Sequence, residues 1–310
     1  MKHTPARRRE DGRALAIETE EKILLALSKF GWLTIAHIHA LFWPESKYPR
    51  MAQRTLSRLA KDGFVAGKAL KSGRKLFALT SAGANRVQAT SWVSAKSRRN
   101  FFNSAETHFE HRSLANDVCI FWLRKCEQYS TGYFTEHQIQ SKKSPLNAFD
   151  GYLCSSKPKI PDALLLAYSG EEEAKTDPYG YIYWVEVERG DKKKGEQEHM
   201  IQALISLVGF GTEDFEVVRK PLNYRLKGAI VVCPRPVFAT RLLNDIERFL
   251  KKEQENFRGN LYSWTRIFKN ILIWEPGKPF VSLQGWKDRL EEERKKTIRK
   301  KWRVTERPLA

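Results

Sequence analysis

Cysteine is scarce. The chain has four in 310 residues, at Cys119, Cys126, Cys154 and Cys233, and no two form a C-x-x-C pair. This argues against a zinc ribbon or a disulfide framework, and reduced buried thiols are the expectation. Long apolar runs are also lacking. None approaches the roughly 20 residues of a membrane span. The opening MKHTPARRRED is basic with no apolar stretch behind it, which argues against a cleaved signal peptide. A cytoplasmic protein with no membrane insertion is expected. No internal repeat is found. Acidic residues are in short supply, at 36 against 55 lysines and arginines, for a net charge of +19. That excess favours a polyanionic partner, either nucleic acid or an acidic membrane surface. It is concentrated early, because residues 1–100 hold 20 lysines and arginines against 7 acids, 13 of the 19 net charges.

Residues 1–17 read as a flexible basic arm. Residues 18–95 have a clear local order. Apolar residues at 23, 24, 27 and 30 have helical spacing and Gly31 ends that helix. Thr34 is placed to N-cap a short helix, Ile35 to Phe42. A third helix, Arg50 to Lys61, turns Met51, Leu56 and Leu59 inward. It turns Arg50, Gln53, Arg54, Ser57, Arg58 and Lys61 outward. Strands are expected at Phe64 to Ala66 and Leu76 to Leu79, joined by a basic turn that contains Lys71, Arg74 and Lys75. Another helix follows from Ser81 to about Val93. The order, with the stretch RTLSRLAKDGFV and then RKLFALTSAG, is similar to winged helix-turn-helix regulators over about 75 residues. That resemblance makes the third helix the recognition helix and the basic turn a wing tip, both facing DNA. A solvated basic helix in a protein-contact domain is the plainer alternative.

Lys96 to Arg99 is a short basic linker. A helix is expected over Asn103 to Gln128 and a strand over Gly132 to Gln140, followed by a basic loop, Lys142 to Pro158. Strands follow at Lys159–Tyr168 and Tyr181–Glu188, then a helix over Glu196 to Val208 and a strand over Lys227 to Pro234. The pattern continues with a helix over Pro236 to Lys251, a strand over Asn270 to Trp274 and a basic helix over Trp286 to Trp302. The whole reads as α+β or α/β. A winged helix precedes an α/β domain with a mixed sheet over residues 100–280, and a basic C-terminal segment covers 281–310.

Within this pattern three acids stand out. If the strands around residues 163 and 185 pair antiparallel, Asp162 lies beside Glu186 and Glu188. Side chains alternate along a strand, so the two glutamates share one face. Three carboxylates at one sheet edge suit a hard cation, Mg²⁺ or Mn²⁺. The competing reading places the glutamates on the solvent face of an edge strand, where alternating acids are common.

Pro161-Asp162 followed by Glu186-Val187-Glu188, between two helices, resembles the PD-(D/E)xK nuclease core, a restriction-endonuclease-like fold. The resemblance implies that Asp162, Glu186 and the Val187 carbonyl bind metal. Glu188 stands where that superfamily usually has a lysine, and Lys192 or Lys194 just beyond are candidates for that role. Glu110 and His111, in the preceding helix, are candidate accessory residues. The full sequence of parts, a winged helix, FEHRSLANDV, PDALLL and YWVEVERGDKKK, is similar to the replication-relaxation family, which includes MobC-class plasmid relaxases. The resemblance covers roughly residues 18–275. It implies site- and strand-specific nicking of DNA at a plasmid or mobile-element origin, through Asp162, Glu186 and Glu188. It also implies a single strand exposed after nicking, and accessory mobilization or replication proteins as partners.

The alternative is a non-catalytic winged-helix initiator or regulator with a degenerate nuclease domain. A nuclease that cuts any DNA is a third reading. A covalent tyrosine, from Tyr152, Tyr168, Tyr179, Tyr181 or Tyr183, ranks below metal-activated water, since no histidine cluster of the HUH type accompanies these residues.

Overall fold

The computed structural model describes residues 12–91, 95–97, 102–103, 105–125, 131–140, 144, 159–168, 180–190, 192–209, 216–219, 222–256 and 264–305. Among them the chain forms ten α-helices and ten strands, a mixed α and β protein. It divides into two compact units, Met1–Asn116 and Asp117–Ala310. No described helix is long and apolar enough to cross a membrane.

The first unit begins with α1, Gly12–Phe30, which buries Ile23, Leu24, Leu27 and Phe30 at helical spacing. The helix starts ahead of residue 18, so the last part of the expected basic arm is helical. Ala14, Leu15 and Ala16 are strong helix formers and extend it. Residues 1–11 lie outside the described residues. Next come β1, Leu33–Thr34, and α2, Ile35–Phe42. The Thr34 hydroxyl accepts the His37 N–H at 3.1 Å, and the Thr34 N–H donates to His37 Nδ1 at 3.2 Å. A histidine here does the work that glutamate does in the usual capping box.

The third helix, α3, spans Arg50–Lys61 and buries Ala52, Thr55, Leu56 and Leu59. Met51, expected inward, is 46% exposed. The buried stripe runs through 52, 55, 56 and 59, and Met51 falls one position short of it. A hairpin of β2, Val65–Ala69, and β3, Lys75–Leu79, follows, then α4, Ser81–Ser91. β1 joins this hairpin to give a three-stranded antiparallel sheet, ordered β1-β3-β2. Trp32, Leu70, Leu76, Ala78 and Phe109 pack together under it. Each larger buried apolar side chain there contributes roughly 1.5–3 kcal/mol.

The division between units falls within α5, Glu106–Lys125. β4 follows at Thr131–Thr135, and the chain then turns into α6, Glu136–Gln140. A strand was expected through residue 140. Instead Gln138 Oε1 accepts the Thr135 N–H at 3.1 Å, which caps a helix start and ends the strand. The expected loop of residues 142–158 lies outside the described residues, apart from Ser144.

The strands β5, Ala163–Tyr168, and β6, Gly180–Val187, form an antiparallel pair. The remaining elements are α7 (Lys194–Gly209), β7 (Glu216–Arg219), β8 (Leu222–Val232), α8 (Pro236–Asn256), α9 (Trp264–Asn270), β9 (Ile271–Trp274), β10 (Val281–Ser282) and α10 (Leu283–Thr305). They complete a seven-stranded mixed sheet, ordered β10-β9-β8-β6-β5-β4, with β7 paired to β8. β6, β8 and β9 are parallel to one another, and the other pairings are antiparallel.

Alternation gives the sheet two apolar faces. Ile182, Trp184, Ala229, Val231, Ile271 and Ile273 pack with Met200, Leu204, Leu242 and Ile246 of α7 and α8. On the other face Phe121 and Trp122 of α5 meet Trp274 and Tyr183, with ring centroids 5.3 Å apart in each pair. The parallel strand β8 therefore reads as a continuous apolar run, Ala-Ile-Val-Val, as strands covered on both faces do. Gly228, at the start of that run, has the Asn270 carbonyl oxygen 2.5 Å from where a Cβ would stand. Only glycine lets the chain entering β9 come this close to β8.

Candidate functional site

The register of β5 and β6 settles where the acids lie. Ala163 pairs with Val185, so Asp162 sits at the β6 residue that follows, Glu186. The Asp162 N–H donates to the Val185 carbonyl at 2.9 Å. The Val187 N–H donates to Asp162 Oδ2 at 2.8 Å. The aspartate thus holds the backbone between the two glutamates, and the expected juxtaposition of Asp162 with the Glu-Val-Glu segment is present.

Glu186 and Glu188 are each 1% exposed. The expectation of a solvent-facing edge strand does not hold. β6 lies inside the sheet, between β5 and β8, and the acids gather at the end of these strands rather than along a sheet edge. Each glutamate has its own neutralising partners. Glu186 Oε1 accepts the Trp184 indole N–H at 2.8 Å. Its Oε2 lies 3.0 Å from Lys159 Nζ in a buried ion pair. Glu188 Oε1 accepts the Gly190 N–H at 2.6 Å, and its Oε2 is 3.1 Å from Lys192 Nζ. Lys192 also donates to the Val187 carbonyl at 2.6 Å.

The tight turn after β6 makes the Gly190 contact. Gly190 has φ of 77°, and a Cβ there would come within 2.5 Å of the Phe238 ring. Both the backbone conformation and the space require glycine.

Burial pushes the Glu186 carboxyl above its usual range, and the charge of Asp162 adds to this. Lys159 and, more weakly, Lys192 pull the other way without cancelling it. Burial alone would lower Lys159, but Glu186 and then Asp162 hold its ammonium above the ordinary value. The Cys233 thiol is also raised, first by burial and then by the charge of Glu188, so it stays protonated and is a poor nucleophile. Cys119 is buried as expected, while Cys126 and Cys154 lie outside the described residues.

Sequence reasoning missed Lys159 and Glu275. In the sequence Lys159 marks only the start of a strand. Glu275 directly follows β9, as Glu188 directly follows β6, and the shared signal is an acid closing a short apolar run. Val187 pairs with Val232 and Val232 with Trp274, so Glu188, Cys233 and Glu275 end three adjacent parallel strands. Carboxyl ends of parallel strands are the common ligand position of open α/β sheets. Glu275 is 7% exposed and pairs with Lys278 Nζ at 2.9 Å.

Other expected residues are placed as follows. Arg50, Gln53, Arg54, Ser57, Arg58 and Lys61 are all exposed on α3, and Lys71, Arg74 and Lys75 are exposed at the β2–β3 turn. Arg58 has its Nε on the buried Glu20 carboxylate, Arg50 lies over the Tyr48 ring, Lys75 lies over the Phe77 ring and the Lys71 N–H donates to Glu106. Glu110 is exposed and His111 half-buried in the part of α5 that belongs to the first unit. Lys194 is exposed at the start of α7. Tyr183 packs on Trp122, on the sheet face opposite Glu186, and Tyr181 lies under Lys227. Tyr152 and Tyr179 lie outside the described residues.

The donor set can be tested against a divalent cation. Its atoms are carboxylate and carbonyl oxygens, the kind that hard cations take, and Glu186 Oε2 is a buried oxygen whose neighbour is the Lys159 ammonium. In kind, the residues fit Mg²⁺ or Mn²⁺. Each glutamate is paired with an ammonium group, Glu186 with Lys159 and Glu188 with Lys192. Among the described residues no three Asp, Glu, His or Cys side chains converge on one ion position. No family model, no curated protein and no solved structure matches the chain.

Proposed function

We propose that the chain is a metal-dependent DNA endonuclease that nicks one strand at an origin-like site, in the manner of the relaxases of the replication-relaxation family. The observation that carries this reading is Asp162 bonded to the backbone of Glu186-Val187-Glu188, with both glutamates buried at the end of β6. Buried acids of this density are costly as structural elements. They are ordinary as a site for phosphoester chemistry.

Asp162, Glu186 and the Val187 carbonyl are the groups that would hold Mg²⁺ or Mn²⁺, with Glu188 beside them. The bound ion supplies polarisation of the scissile phosphate and a lowered pKa for the attacking water. Lys192, on the Val187 carbonyl and Glu188, stands in the neighbourhood where the nuclease superfamily keeps its lysine. It orients Glu188 and adds positive charge next to the phosphate. Glu186 has to be ionised to serve, and Lys159 favours that form.

The first unit, read as a winged helix, is the DNA reader. Its order of helix, strand, two helices and hairpin supports this, as do the exposed cations of α3 and the β2–β3 turn. Duplex DNA is the partner, with single-stranded DNA after nicking and accessory mobilization or replication proteins at the origin.

A specific observation favours a second reading. Lys159 and Lys192 already neutralise both glutamates, and Lys192 occupies the Val187 carbonyl. On this reading the protein is a non-catalytic initiator or regulator whose nuclease domain has become structural.

Supercoiled plasmid carrying the cognate origin separates the two. The nickase reading expects open circles in Mg²⁺ or Mn²⁺, none in EDTA, and none with Glu186→Ala. Tight binding of the same origin without nicking in any divalent cation would leave the second reading standing.

A further inference from the structure

The sequence puts a carboxylate where α1 has room for an apolar side chain. Glu20 lies on the buried stripe of that helix, ahead of Ile23, Leu24 and Leu27, and is 7% exposed. A buried ion pair is seldom better for stability than well-packed apolar side chains of similar volume. What the glutamate adds is a set of partners. Its Oε1 accepts the Nε–H of Arg58 on α3. Its Oε2 lies 3.9 Å from a terminal nitrogen of Arg86 on α4. Arg86 stands over the Phe64 ring, 4.7 Å from its centroid, and lies 3.9 Å from Glu21. The carboxylate is held from two sides, so Arg58 is anchored to a fixed group.

The anchor takes one nitrogen of the guanidinium, and the Arg58 side chain is still 52% exposed. A guanidinium is a planar fork of five N–H donors. With Nε on Glu20, the edge made by the two terminal nitrogens faces outward from the pair. Its place on α3 suggests the partner. Arg50, Arg54, Ser57 and Lys61 recur at helical spacing opposite the buried Ala52, Thr55, Leu56 and Leu59. Arg58 lies on the flank between these two stripes, on the side of Glu20. When a helix enters a major groove, its outermost stripe meets the base edges and its flanks meet the phosphate walls. A planar fork matches two phosphate oxygens.

We infer that Glu20 is a positioning residue for DNA binding. It holds Arg58 by Nε so that the terminal nitrogens clamp a phosphate at the wall of the groove that α3 enters. The inference rests on the reading of the first unit as the DNA reader, and it does not depend on cation binding or cleavage. Glu20 itself stays buried and does not touch DNA. Its effect is to order a long side chain before binding, so that the complex does not have to.

The test is fluorescence anisotropy of the full chain in EDTA with a labelled duplex of random sequence, well below the melting temperature of every variant. Arg58→Lys keeps the charge and removes the fork, and should weaken binding about tenfold. Glu20→Gln should weaken it roughly three- to tenfold, because the DNA must then order the Arg58 side chain itself. The sign is what distinguishes this account. Removing a negative charge would tighten binding if net charge alone mattered. In the Arg58→Lys background Glu20→Gln should no longer weaken binding, a coupling that a general loss of fold would not produce. Unchanged or tighter binding in Glu20→Gln overturns the inference, as do equal losses in the two backgrounds. If charge reversal of Arg54 and Lys61 lowers the salt dependence while Glu20→Gln does not weaken binding, the role of Glu20 fails and the DNA reader stands. A parent chain that does not bind the duplex overturns both.

Discussion

At the scale of single residues, the pair formed by Lys159 and Glu186 dominates the energetics of the site. Glu186 is 1% exposed and the Lys159 side chain 21%, so neither charge is well solvated. Replacing Lys159 with methionine leaves a buried carboxylate without its counter-charge. The expected loss is about 3 kcal/mol in a urea unfolding experiment. The double variant Lys159→Met, Glu186→Leu should recover most of it, because both charges then leave together. Recovery of nothing would mean that Lys159 acts by packing alone. The pH dependence has a definite sign. The Glu186 carboxyl is held above its ordinary range, so the folded chain binds that proton more tightly than the unfolded chain. The stability it lends is complete below about pH 4 and is lost as pH rises through its raised value. In thermal melts without divalent cations, Glu186→Gln should therefore lose less stability between acid and neutral pH than the parent. Equal slopes would contradict the assignment. Lys159, also raised, acts in a different window, with stability present below about pH 10 and lost above it.

At the scale of elements, the site depends on how β5, β6, β8 and β9 are registered. Gly228 is the most constrained point of that arrangement. A methyl group there meets a backbone carbonyl, which cannot rotate away as a side chain can. Gly228→Ala should cost roughly 2–3 kcal/mol by chemical denaturation, and a neutral result would mean the β8–β9 contact is looser than it stands here. The elements that were legible in the sequence are those whose signals are local. α2 and α3 ended where Thr34, Phe42, Arg50 and Lys61 placed them, because caps and a 3.6-residue stripe are short-range. The pairing of β5 with β6, and with it the place of Asp162, followed from two apolar runs with acids at matching ends. The rest was set by distant partners. A strand was expected to run past Thr135, yet a side-chain cap four residues long ended it. β7, α9 and β10 are too short to leave a periodic trace. Nothing local says that β6 is an inner strand, so the burial of Glu186 and Glu188 came only with β8. The role of Lys159 as counter-charge was hidden in the same way, since its partner lies 27 positions along the chain.

At the scale of the whole molecule, charge and the carboxylate site make separate demands. A net charge of +19, with exposed cations on α3 and the β2–β3 turn, should give duplex affinity that falls steeply with salt. Reversing Arg54 and Lys61 to glutamate should reduce the log–log salt slope by roughly 2, read by fluorescence anisotropy. An unchanged slope would take α3 out of the DNA contact. Cation binding is the most direct test of whether Asp162, Glu186 and Glu188 serve a metal ion or only their lysines. Titration of the full chain with Mn²⁺, followed by paramagnetic resonance of the free ion, should show saturable binding that disappears in Asp162→Asn and in Glu186→Gln. Wild-type protein that takes up no Mn²⁺ at millimolar concentration, with or without DNA, would contradict the nuclease account and leave Lys159 and Lys192 as the counter-charges of Glu186 and Glu188.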